Sequence, residues 1–393
     1  MAGLTNFKDC AALLASALKM ATGKEQETAL NTAEFVSQAT TAIEIGVDPI
    51  MKALSQMVSR TIFSARPYTG KFRGIMRDAQ AWGNHVRKIN YMDSDPETDE
   101  RGMVTHPTPG ESLTPWKWQP SNVLQTNFYG GRVYQRSMML TRDQIYSAFR
   151  SPEEFGSFVS GLMVNYNSQI EQDREAMARI CVSNYIAGKV KADTSNVIHL
   201  LTEYKAETGL ADLTAETIMQ PDNFRGFVSW LAARIEDLSN LLTNRSINFH
   251  LNVADKEISR HTPKENQRML MHSPILTRIN TIARANTYHD NLLSMDVTEA
   301  VNYWQAIDTP DTIMATPNYI DSTGTIVTAD AAVTVDKIVG VLFDVETMGE
   351  TVIGEWSGTT PLDPRHGITN IYNHYTIRFW NDFTENGIVL LLD

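Results

Sequence analysis

The feature that most constrains the fold of this chain is a long run, residues 152–187, that contains no proline after its first residue. The start of this run is typical of a helix, because Ser151 can cap the first turn, Pro152 suits the first helical position and Glu154 completes a capping box. Gly188 stands where a helix often ends. Such a helix would be about 54 Å long, roughly three times the usual length. The sequence therefore predicts one helix, capped by Ser151 and Glu154, that serves as a structural spine.

The two faces of this helix differ in chemistry. Its apolar side chains fall mostly on one stripe, as in a helix that packs on a core. They are Phe155, Phe158, Val159, Leu162, Met163, Tyr166, Ile170, Met177, Ile180 and Cys181. The opposite face carries Glu171, Asp173, Arg174 and Glu175. Because Cys181 lies on the apolar stripe, we expect it to be a small buried hydrophobic residue. With Cys10 as the second of two cysteines, the chain has neither a disulfide framework nor a thiolate zinc cluster.

Residues 1–65 are predicted to form helices that have no core of their own. Residues 7–20 and 24–44 are rich in Ala, Leu and Thr, and Asp48 followed by Pro49 is typical of a third helix start. Apolar residues then recur at helical spacing on one face. Those that we predict to contact another subunit are Ile50, Leu54, Met57, Val58 and Ile62. Helices in series without a core indicate an arm.

A long ribbon of two strands is predicted next. Residues 81–93 and 121–140 are strand-like, Gly130-Gly131 suits a bulge or kink, and a long tip, 93–120, lies between the two strands. An irregular segment of that length usually has a function, and a two-stranded ribbon is marginally stable alone in water. We therefore expect the ribbon to pack on another subunit. The candidate contact residues are Asp95, Glu97, Asp99, Glu100, Arg101, Trp116, Trp118, Phe128 and Tyr129.

Other interpretations of the tip residues stay open at this point. The aromatic side chains could be ordinary core residues, or they could stack on nucleic-acid bases. Asp95 and Asp99 could bind a divalent cation, although a solvated acidic loop is the simpler interpretation. The acidic character of the tip favours contact with protein over contact with nucleic acid.

The remainder of the chain mixes helical and strand patterns, so the predicted fold class is α+β. Residues 189–336 are expected to form an α/β region, and the tail 337–393 is expected to be mostly β. The elements predicted in the α/β region are a helix at 223–243, a strand at 247–253, a strand at 268–272, a helix at 273–285 and a hairpin or loop at 318–334.

Composition and charge exclude several classes of protein. The net charge is −12 and the isoelectric point about 5.3, whereas a protein that grips DNA phosphates needs a basic surface. No run approaches 18 apolar residues, so no membrane span is predicted, and the N-terminal sequence is unlike a signal peptide. Charged residues make up only 20% of the chain. Because protein interfaces are typically depleted in Lys, Glu and Asp, this low fraction favours extensive contact with other proteins.

The chain carries no motif for catalysis or cofactor binding. Neither Gly70-Lys71 nor Gly188-Lys189 is followed by Ser or Thr, so no phosphate-binding loop is predicted. The GxSxG and HExxH motifs are missing, and the nine histidines are scattered. We therefore predict no catalytic, cofactor-binding or metal site and no cofactor, while a metal site built from distant histidines stays open.

The order of these elements resembles that of a known family. A helical arm, a long ribbon, a long capped helix, an α/β region and a returning β segment follow one another along the chain. The stretches that carry the likeness are EFGSFVSGLMVNYNSQIEQDREAMARICVSNYIAGKV (154–190), MLMHSPILTRINTIARAN (269–286) and the ending from VGVLFDVETM (339–348) to GIVLLLD (387–393). In this succession the chain resembles the HK97 (HK-97) fold of tailed-phage major capsid proteins, nearest to those of small short-tailed phi29-like phages.

The resemblance implies a division of the chain as well as a function. Residues 1–65 would be the N-terminal arm, 66–145 the E-loop, 196–336 an axial domain, and 146–195 with 337–393 a peripheral domain that contains the spine helix. The implied function is that of a major capsid protein that self-assembles, through hexamers and pentamers, into an icosahedral or prolate head shell around a double-stranded DNA genome.

Partners and location follow from the same resemblance. The expected partners are further copies of the chain, a separate scaffolding protein and a portal protein. DNA would be enclosed without sequence-specific binding, and no membrane would take part. The protein would reside in the virion after assembly in the cytoplasm of the bacterial host, with no enzyme activity and no covalent cross-link. The alternatives are an encapsulin-like compartment shell, which shares the fold, and an unrecognised soluble enzyme.

Overall fold

The structure is a computed structural model of the chain. It describes residues 7–23, 28–45, 72, 85–91, 123–129, 131–142, 144, 152–192, 196–253, 258–286 and 299–393. The chain divides into two compact units. The first unit comprises residues 1–82, 131–180 and 350–379, and the second comprises residues 83–130, 181–349 and 380–393.

The described elements mix helices and strands, as predicted. The helices are α1 (Phe7–Thr22), α2 (Thr32–Ile45), α3 (Pro152–Lys191), α4 (Leu200–Thr208), α5 (Pro221–Thr243) and α6 (Ser273–Asn286), with a 3₁₀ turn at Lys264–Asn266. The strands are β1 (His85–Tyr91), β2 (Val123–Tyr129), β3 (Arg132–Thr141), β4 (Val197–His199), β5 (Gln267–His272), β6 (Glu299–Val301), β7 (Ile313–Ala315), β8 (Asn318–Ile320), β9 (Ile326–Thr328), β10 (Val333–Val335), β11 (Ile338–Asp344), β12 (Met348–Thr359), β13 (Ile368–Asn381) and β14 (Gly387–Leu391).

Helices α1 and α2 open the first unit and confirm the first two helices predicted within residues 1–65. The prediction that these helices lack a core is wrong for α1 and α2, because Leu14, Leu18 and Phe35 are buried within the single subunit. Helix α2 begins at residue 32 rather than 24 because Asn31 and Glu34 form a cap. The Oδ1 of Asn31 accepts a hydrogen bond from the Glu34 N–H at 2.9 Å, and the Glu34 carboxylate accepts one from the Leu30 N–H at 2.8 Å. The third predicted arm helix lies outside the described residues.

The first unit also contains most of a three-stranded sheet in the order β12–β13–β3. Strand β13 runs antiparallel to β3 from the pair Ile368–Thr141 to the pair Ile377–Arg132. Residues of β13 are alternately buried and partly buried, as expected for a strand with one covered face. The buried face packs with α3 in a small cluster. Its members are Met177, Tyr375 and Ile377, with Tyr134, Ile170 and Phe379 against them.

The long helix predicted over 152–187 is present as α3, which is 40 residues long. It lies in both units, which divide between Ile180 and Cys181. The prediction that the helix ends at Gly188 is wrong, because α3 continues to Lys191. A Cβ on Gly188 would lie 2.5 Å from the ring of Phe383, so the glycine admits this ring instead of ending the helix.

The second unit is built on a five-stranded sheet in the order β4–β14–β11–β5–β6. Strand β11 pairs antiparallel with β14 and β5, and the outer strands β4 and β6 pair parallel with their neighbours. Strands β11 and β14 are buried along their whole length, as expected for central strands covered on both faces. Helices α4, α5 and α6 contribute apolar side chains to the same core.

Most of the predicted elements of the second unit are confirmed. The helix predicted at 223–243 is α5, the strand at 268–272 is β5, the helix at 273–285 is α6, and the hairpin at 318–334 contains the pair β8–β9. The strand predicted at 247–253 is wrong. Phe249 adopts a φ of 69°, a left-handed conformation that interrupts an extended strand.

Strand β12 is missed by the sequence pattern. Three glycines, at 349, 354 and 358, lower its strand propensity. Gly349 is required by packing, because a Cβ there would collide with the ring of Trp380.

Candidate functional site

The base of the predicted ribbon is present as the antiparallel pair β1–β2. Its register runs from the pair His85–Tyr129 to the pair Tyr91–Val123. The predicted tip follows β1 and precedes β2, and it lies outside the described residues.

The two faces of this ribbon have different environments. On the outer face, the side chains of Ile89 and Val123 are 50% and 48% exposed. On the inner face, Lys88, Leu124 and Phe128 are partly buried. Successive side chains of a strand point to opposite faces, so a ribbon held by one face presents the other. The outer face therefore exposes apolar side chains of a kind that protein contacts usually cover.

The inner face is held by an ion cluster around Lys88. Its Nζ lies 2.7 Å from the Oε1 of Glu385, 3.0 Å from the Oδ2 of Asp382 and 3.3 Å from the Oε2 of Glu346. The side chains of Lys88 and Asp382 are only 15% and 1% exposed. Burial lowers the pKa of Lys88, but attraction by Asp382 and Glu385 outweighs burial, so the pKa is raised above its ordinary value. Lys88 is therefore held in its charged form.

The carboxylates that receive Lys88 are fixed by the loop 382–386 between β13 and β14. The Oδ1 of Asp382 accepts hydrogen bonds from the backbone N–H of Thr384 at 2.9 Å and from its hydroxyl at 2.6 Å. The Arg260 Nη2 lies 3.2 Å from the Glu385 Oε1, and the Arg260 Nε donates to the Thr384 carbonyl. These bonds tie the loop to its surroundings through groups other than Lys88.

An aromatic contact accompanies the ion cluster. The rings of Phe128 and Trp380 are 6.1 Å apart and inclined at 35°. Trp380 in turn lies against Gly349, where a side chain would collide with it. The predicted contact residue Phe128 therefore packs within its own subunit.

A second buried cation, Lys189 of α3, lies close to the same loop. Its side chain is fully buried, and its Nζ donates a hydrogen bond of 3.3 Å to the carbonyl of Phe249. Burial lowers the pKa of Lys189 to about 7, against an opposing attraction by Asp382. The ring of Tyr185 lies 5.6 Å from this Nζ and stacks on Phe383.

The first unit contains its own charge network along α3. Arg174 lies 3.3 Å from Glu171 and 3.4 Å from Glu350, and Arg179 lies 2.5 Å from Glu175. The face of α3 predicted to be polar is thus largely buried, because Glu171 and Glu175 are each paired with an arginine. Burial raises the pKa of Glu350 to about 7, against the attraction of Arg174.

Asp173 of the same helix joins α3 to the three-stranded sheet. Its carboxylate accepts hydrogen bonds from Arg136 of β3 and from the hydroxyl of Tyr375 of β13. Desolvation raises the pKa of Asp173, but these two donors outweigh it and lower the pKa below the usual range.

The outer face of the three-stranded sheet is also partly apolar. Val133, Met139 and Trp356 are exposed there. The Trp356 ring, 62% exposed, stacks on His374 with the ring centroids 4.0 Å apart. Like the outer face of the ribbon, this face carries exposed apolar side chains.

A comparison with protein-family models identifies the family of this chain. The model of the Phi29-like phage major capsid protein family matches residues 14–390, which is nearly the whole chain. The chain belongs to this family. The predicted function of a phage major capsid protein is thereby confirmed, and neither the encapsulin-like shell nor the unrecognised enzyme is favoured.

Solved structures show the same fold for this major capsid protein. A chain from the capsid structure of Staphylococcus phage Andhra is 12% identical, with a TM-score of 0.50, 82% of this chain and 84% of that chain being covered. A chain from the structure of the head fibre and inner core protein gp22 of native bacteriophage P68 is 11% identical, with a TM-score of 0.52 and coverage of 83% and 85%. Among curated proteins no match was found.

Most of the predicted contact residues of the capsid protein lie outside the described residues. These are Ile50, Leu54, Met57, Val58, Ile62, Asp95, Glu97, Asp99, Glu100, Arg101, Trp116 and Trp118. Tyr129 is described only as part of β2, and Glu154 only as part of α3, whereas the predicted cap Ser151 lies outside. Their roles in subunit contact and capping stay predictions.

Several residues of the site are missed by reasoning from the sequence. Lys88 belongs to β1, whereas Asp382 and Glu385 follow β13 near the other end of the chain, and no spacing rule connects them. Cys181 is buried, as predicted, but its Sγ also donates a hydrogen bond of 2.9 Å to the Asn381 Oδ1. Ile180, predicted to lie on the apolar stripe, is exposed.

The part of the chain that the structure describes has neither a metal-binding cluster nor a membrane-spanning helix. No three His, Cys, Asp or Glu side chains there are grouped so that they could hold a metal ion. None of the described helices is both long and apolar enough to cross a membrane.

Proposed function

We propose that this major capsid protein builds its shell in the HK97 manner. In this proposal the ribbon β1–β2 with its tip is the E-loop within residues 66–145, and α3 is the spine of a peripheral domain formed by 146–195 and 337–393. Residues 196–336 form the axial domain, and residues 1–65 form an arm that lies on neighbouring subunits. The succession of elements along the chain supports this division.

The observation that carries the proposal is the asymmetry of the ribbon. Its inner face is tied to its own subunit through Lys88 and Phe128, while Ile89 and Val123 stay exposed on the outer face. A two-stranded ribbon gains little stability alone, and burial of apolar surface is worth about 25 cal/mol per Å². Covering the outer face with a neighbouring subunit therefore stabilises both the ribbon and the shell.

The exposed face of the three-stranded sheet is a second proposed contact surface. Val133, Met139 and Trp356 present apolar area there that a neighbour can bury. Several such contacts per subunit act together, so a closed shell is stable even when each contact is weak.

The remaining features of the proposal follow from charge and family. A chain of net charge −12 is suited to enclosing double-stranded DNA without binding its phosphates tightly. We propose hexamers and pentamers of this chain as the building units, a separate scaffolding protein and a portal protein as partners, and the virion as the final location after assembly in the bacterial cytoplasm. The role is structural, with no catalysis.

Deletion of residues 95–115 tests the proposed E-loop. We expect the shortened subunit to fold but to form no stable particles, because the ribbon loses most of its tip. The measurements are circular dichroism of the free subunit and electron microscopy of expressed protein. A variant in which the same residues are replaced by a Gly/Ser segment of equal length controls for chain length and is expected to fail likewise. Normal shells from either variant would show that the tip has no role in assembly.

A further inference from the structure

We propose that Lys88 is a positioning residue for shell assembly, because its ammonium group fixes the base of the ribbon to the loop 382–386 of the same subunit. The inference deepens the proposed function, since it rests on the ribbon being an assembly element. Lys88 itself touches the carboxylates of its own subunit and acts on the neighbouring subunit only through the ribbon.

The charges around Lys88 support this role. Asp382 and Glu385 are buried, and Arg260 is the other cation within ion-pair distance of Glu385 among the described residues. Burial raises the pKa of Glu385, whereas Lys88 and Arg260 oppose this effect. Removal of Lys88 would leave Arg260 as the partner of Glu385, and Asp382 would keep only the attraction of Lys189. Each of the two buried carboxylates would thus lose one positive charge. A buried carboxylate that loses a charged partner is strongly destabilising.

The receptor for Lys88 is built independently of the ribbon. The carboxylate of Asp382 accepts a hydrogen bond from the Thr384 hydroxyl. The backbone N–H of Asp382 donates a hydrogen bond of 2.6 Å to the Thr347 carbonyl. Further along the loop, the Thr347 hydroxyl donates to the Asn386 carbonyl at 3.0 Å. The N–H of Leu251 also donates to the Phe383 carbonyl, at 2.8 Å. Because these hydrogen bonds hold the carboxylates in place without the ribbon, the loop offers Lys88 a defined point of attachment.

Lys88 is also well placed to affect the tip. The tip follows β1 and precedes β2 in the sequence, so its two ends continue from the strands that Lys88 fixes. The contact of Phe128 with Trp380 is apolar, so we expect it to restrict the direction of the ribbon less than the ion cluster does. Charged groups in a fixed cluster are directional, whereas apolar burial is not.

Hydrogen exchange of the free subunit tests the anchor directly. In Lys88→Met, which keeps an unbranched side chain one atom shorter and removes its charge, amides of 85–91 and 123–129 are expected to exchange about tenfold faster. Amides of β11 and β14 should stay protected, which shows that the subunit is folded. Arg87→Met is the matched control on the exposed face of the same strand and should leave exchange unchanged. Lys88→Arg, which keeps the charge, should restore protection.

If Lys88→Met proves too destabilised to fold, Glu346→Gln provides the milder variant. Glu346 is the exposed member of the cluster, 3.3 Å from Lys88. Its loss is expected to accelerate exchange of the ribbon about twofold, because exposed ion pairs are weak. Unchanged ribbon exchange in Lys88→Met, or in Glu346→Gln where only that variant folds, would overturn the proposed anchor.

Assembly yield separates this inference from the proposed function. We expect Lys88→Met to give at least tenfold fewer closed shells than the wild-type protein and Lys88→Arg to give normal yields, by sedimentation and electron microscopy. If Lys88→Met loosens the ribbon but assembles normally, the positioning role is wrong, although the E-loop itself can still be required. If deletion of 95–115 assembles normally, the proposed E-loop is wrong whatever Lys88 does.

Discussion

Two buried ionisable side chains give this capsid subunit a stability that depends on pH in opposite directions. Lys189 in the second unit and Glu350 in the first unit are both fully buried, and burial moves each pKa to about 7. A group whose pKa differs between the folded and unfolded states contributes a pH-dependent free energy of unfolding. Neither residue could be singled out from the sequence, because burial of a single charged residue leaves no pattern.

The free energy of unfolding of the wild-type protein is expected to rise with pH because of Lys189, and Lys189→Met is expected to abolish this rise. The unfolded chain holds its lysine proton up to a pH near 10.5, whereas folded Lys189 releases it above about 7, so wild-type stability from this group is gained between pH 7 and 10.5. The whole effect is about 5 kcal/mol at most. Urea unfolding of free wild-type and variant subunits at pH 6, 7, 8 and 9 measures it. Curves that stay parallel across this range would contradict the prediction.

Glu350→Gln is expected to have the opposite effect. Folded Glu350 holds its proton up to a pH of about 7, whereas the unfolded chain releases it near 4.5, so stability from this group is present below pH 4.5 and is lost as the pH rises to about 7. The variant should be more stable than the wild-type protein above pH 7, by about 3 kcal/mol at most. Urea unfolding between pH 4.5 and 8 is the measurement. Equal pH slopes for the two proteins would show that Glu350 titrates normally.

At the scale of the element, helix α3 shows how packing can override a local signal. Gly188 follows the sequence rule for a helix end, yet α3 passes through it to Lys191. The ring of Phe383 occupies the space that a Cβ would need. The start of α3 at Pro152 agrees with the prediction, because a proline at the first helical position acts through the local backbone alone.

Two glycines of α3 give a matched test of this argument. In Gly188→Ala the new methyl group collides with the Phe383 ring, so we expect a loss of about 1–3 kcal/mol of stability despite the better helix propensity of alanine. In Gly161→Ala nothing lies within 4 Å of the new Cβ, and a gain of up to about 1 kcal/mol is expected. Thermal unfolding of both free subunits measures the difference. A Gly188→Ala subunit as stable as Gly161→Ala would contradict the role given to Phe383.

For the ribbon, the strands could be predicted from the local sequence, whereas the partner of the following strand β3 could not. The strand patterns at 81–93 and 121–140 predict two paired strands, and the pairing is confirmed for 85–91 with 123–129. The second half of the 121–140 pattern forms β3, which is not part of the ribbon. The glycines at which a bulge or kink is predicted stand in the sequence between β2, which pairs with β1, and β3, which pairs with β13. The partner of β3 could not be predicted, because β13 lies near the other end of the chain and no local signal connects the two strands.

At the scale of the whole molecule, the capsid function agrees with a chain that leaves apolar surfaces uncovered. Ile89 and Val123 on the ribbon, and Trp356 on the three-stranded sheet, are exposed in the single subunit. Burial of these side chains against another subunit would remove apolar area from water, which is favourable. The low fraction of charged residues, 20%, is consistent with such surfaces. The deletion of 95–115 and the variants of Lys88 test whether the ribbon is needed for shell assembly.

Sequence patterns predicted the long helix, the paired part of the ribbon, most elements of the α/β region and, through the order of these elements, the family. These follow from local signals, because periodicity, caps and turn residues act between neighbours in the chain. The tertiary structure alone decided that Lys88 meets Asp382 and Glu385, that Glu171 and Glu175 are buried with arginines, and that Gly188 admits Phe383. Each of these depends on which distant segments come together and exclude water, and that information is carried by packing of the whole chain rather than by any local pattern.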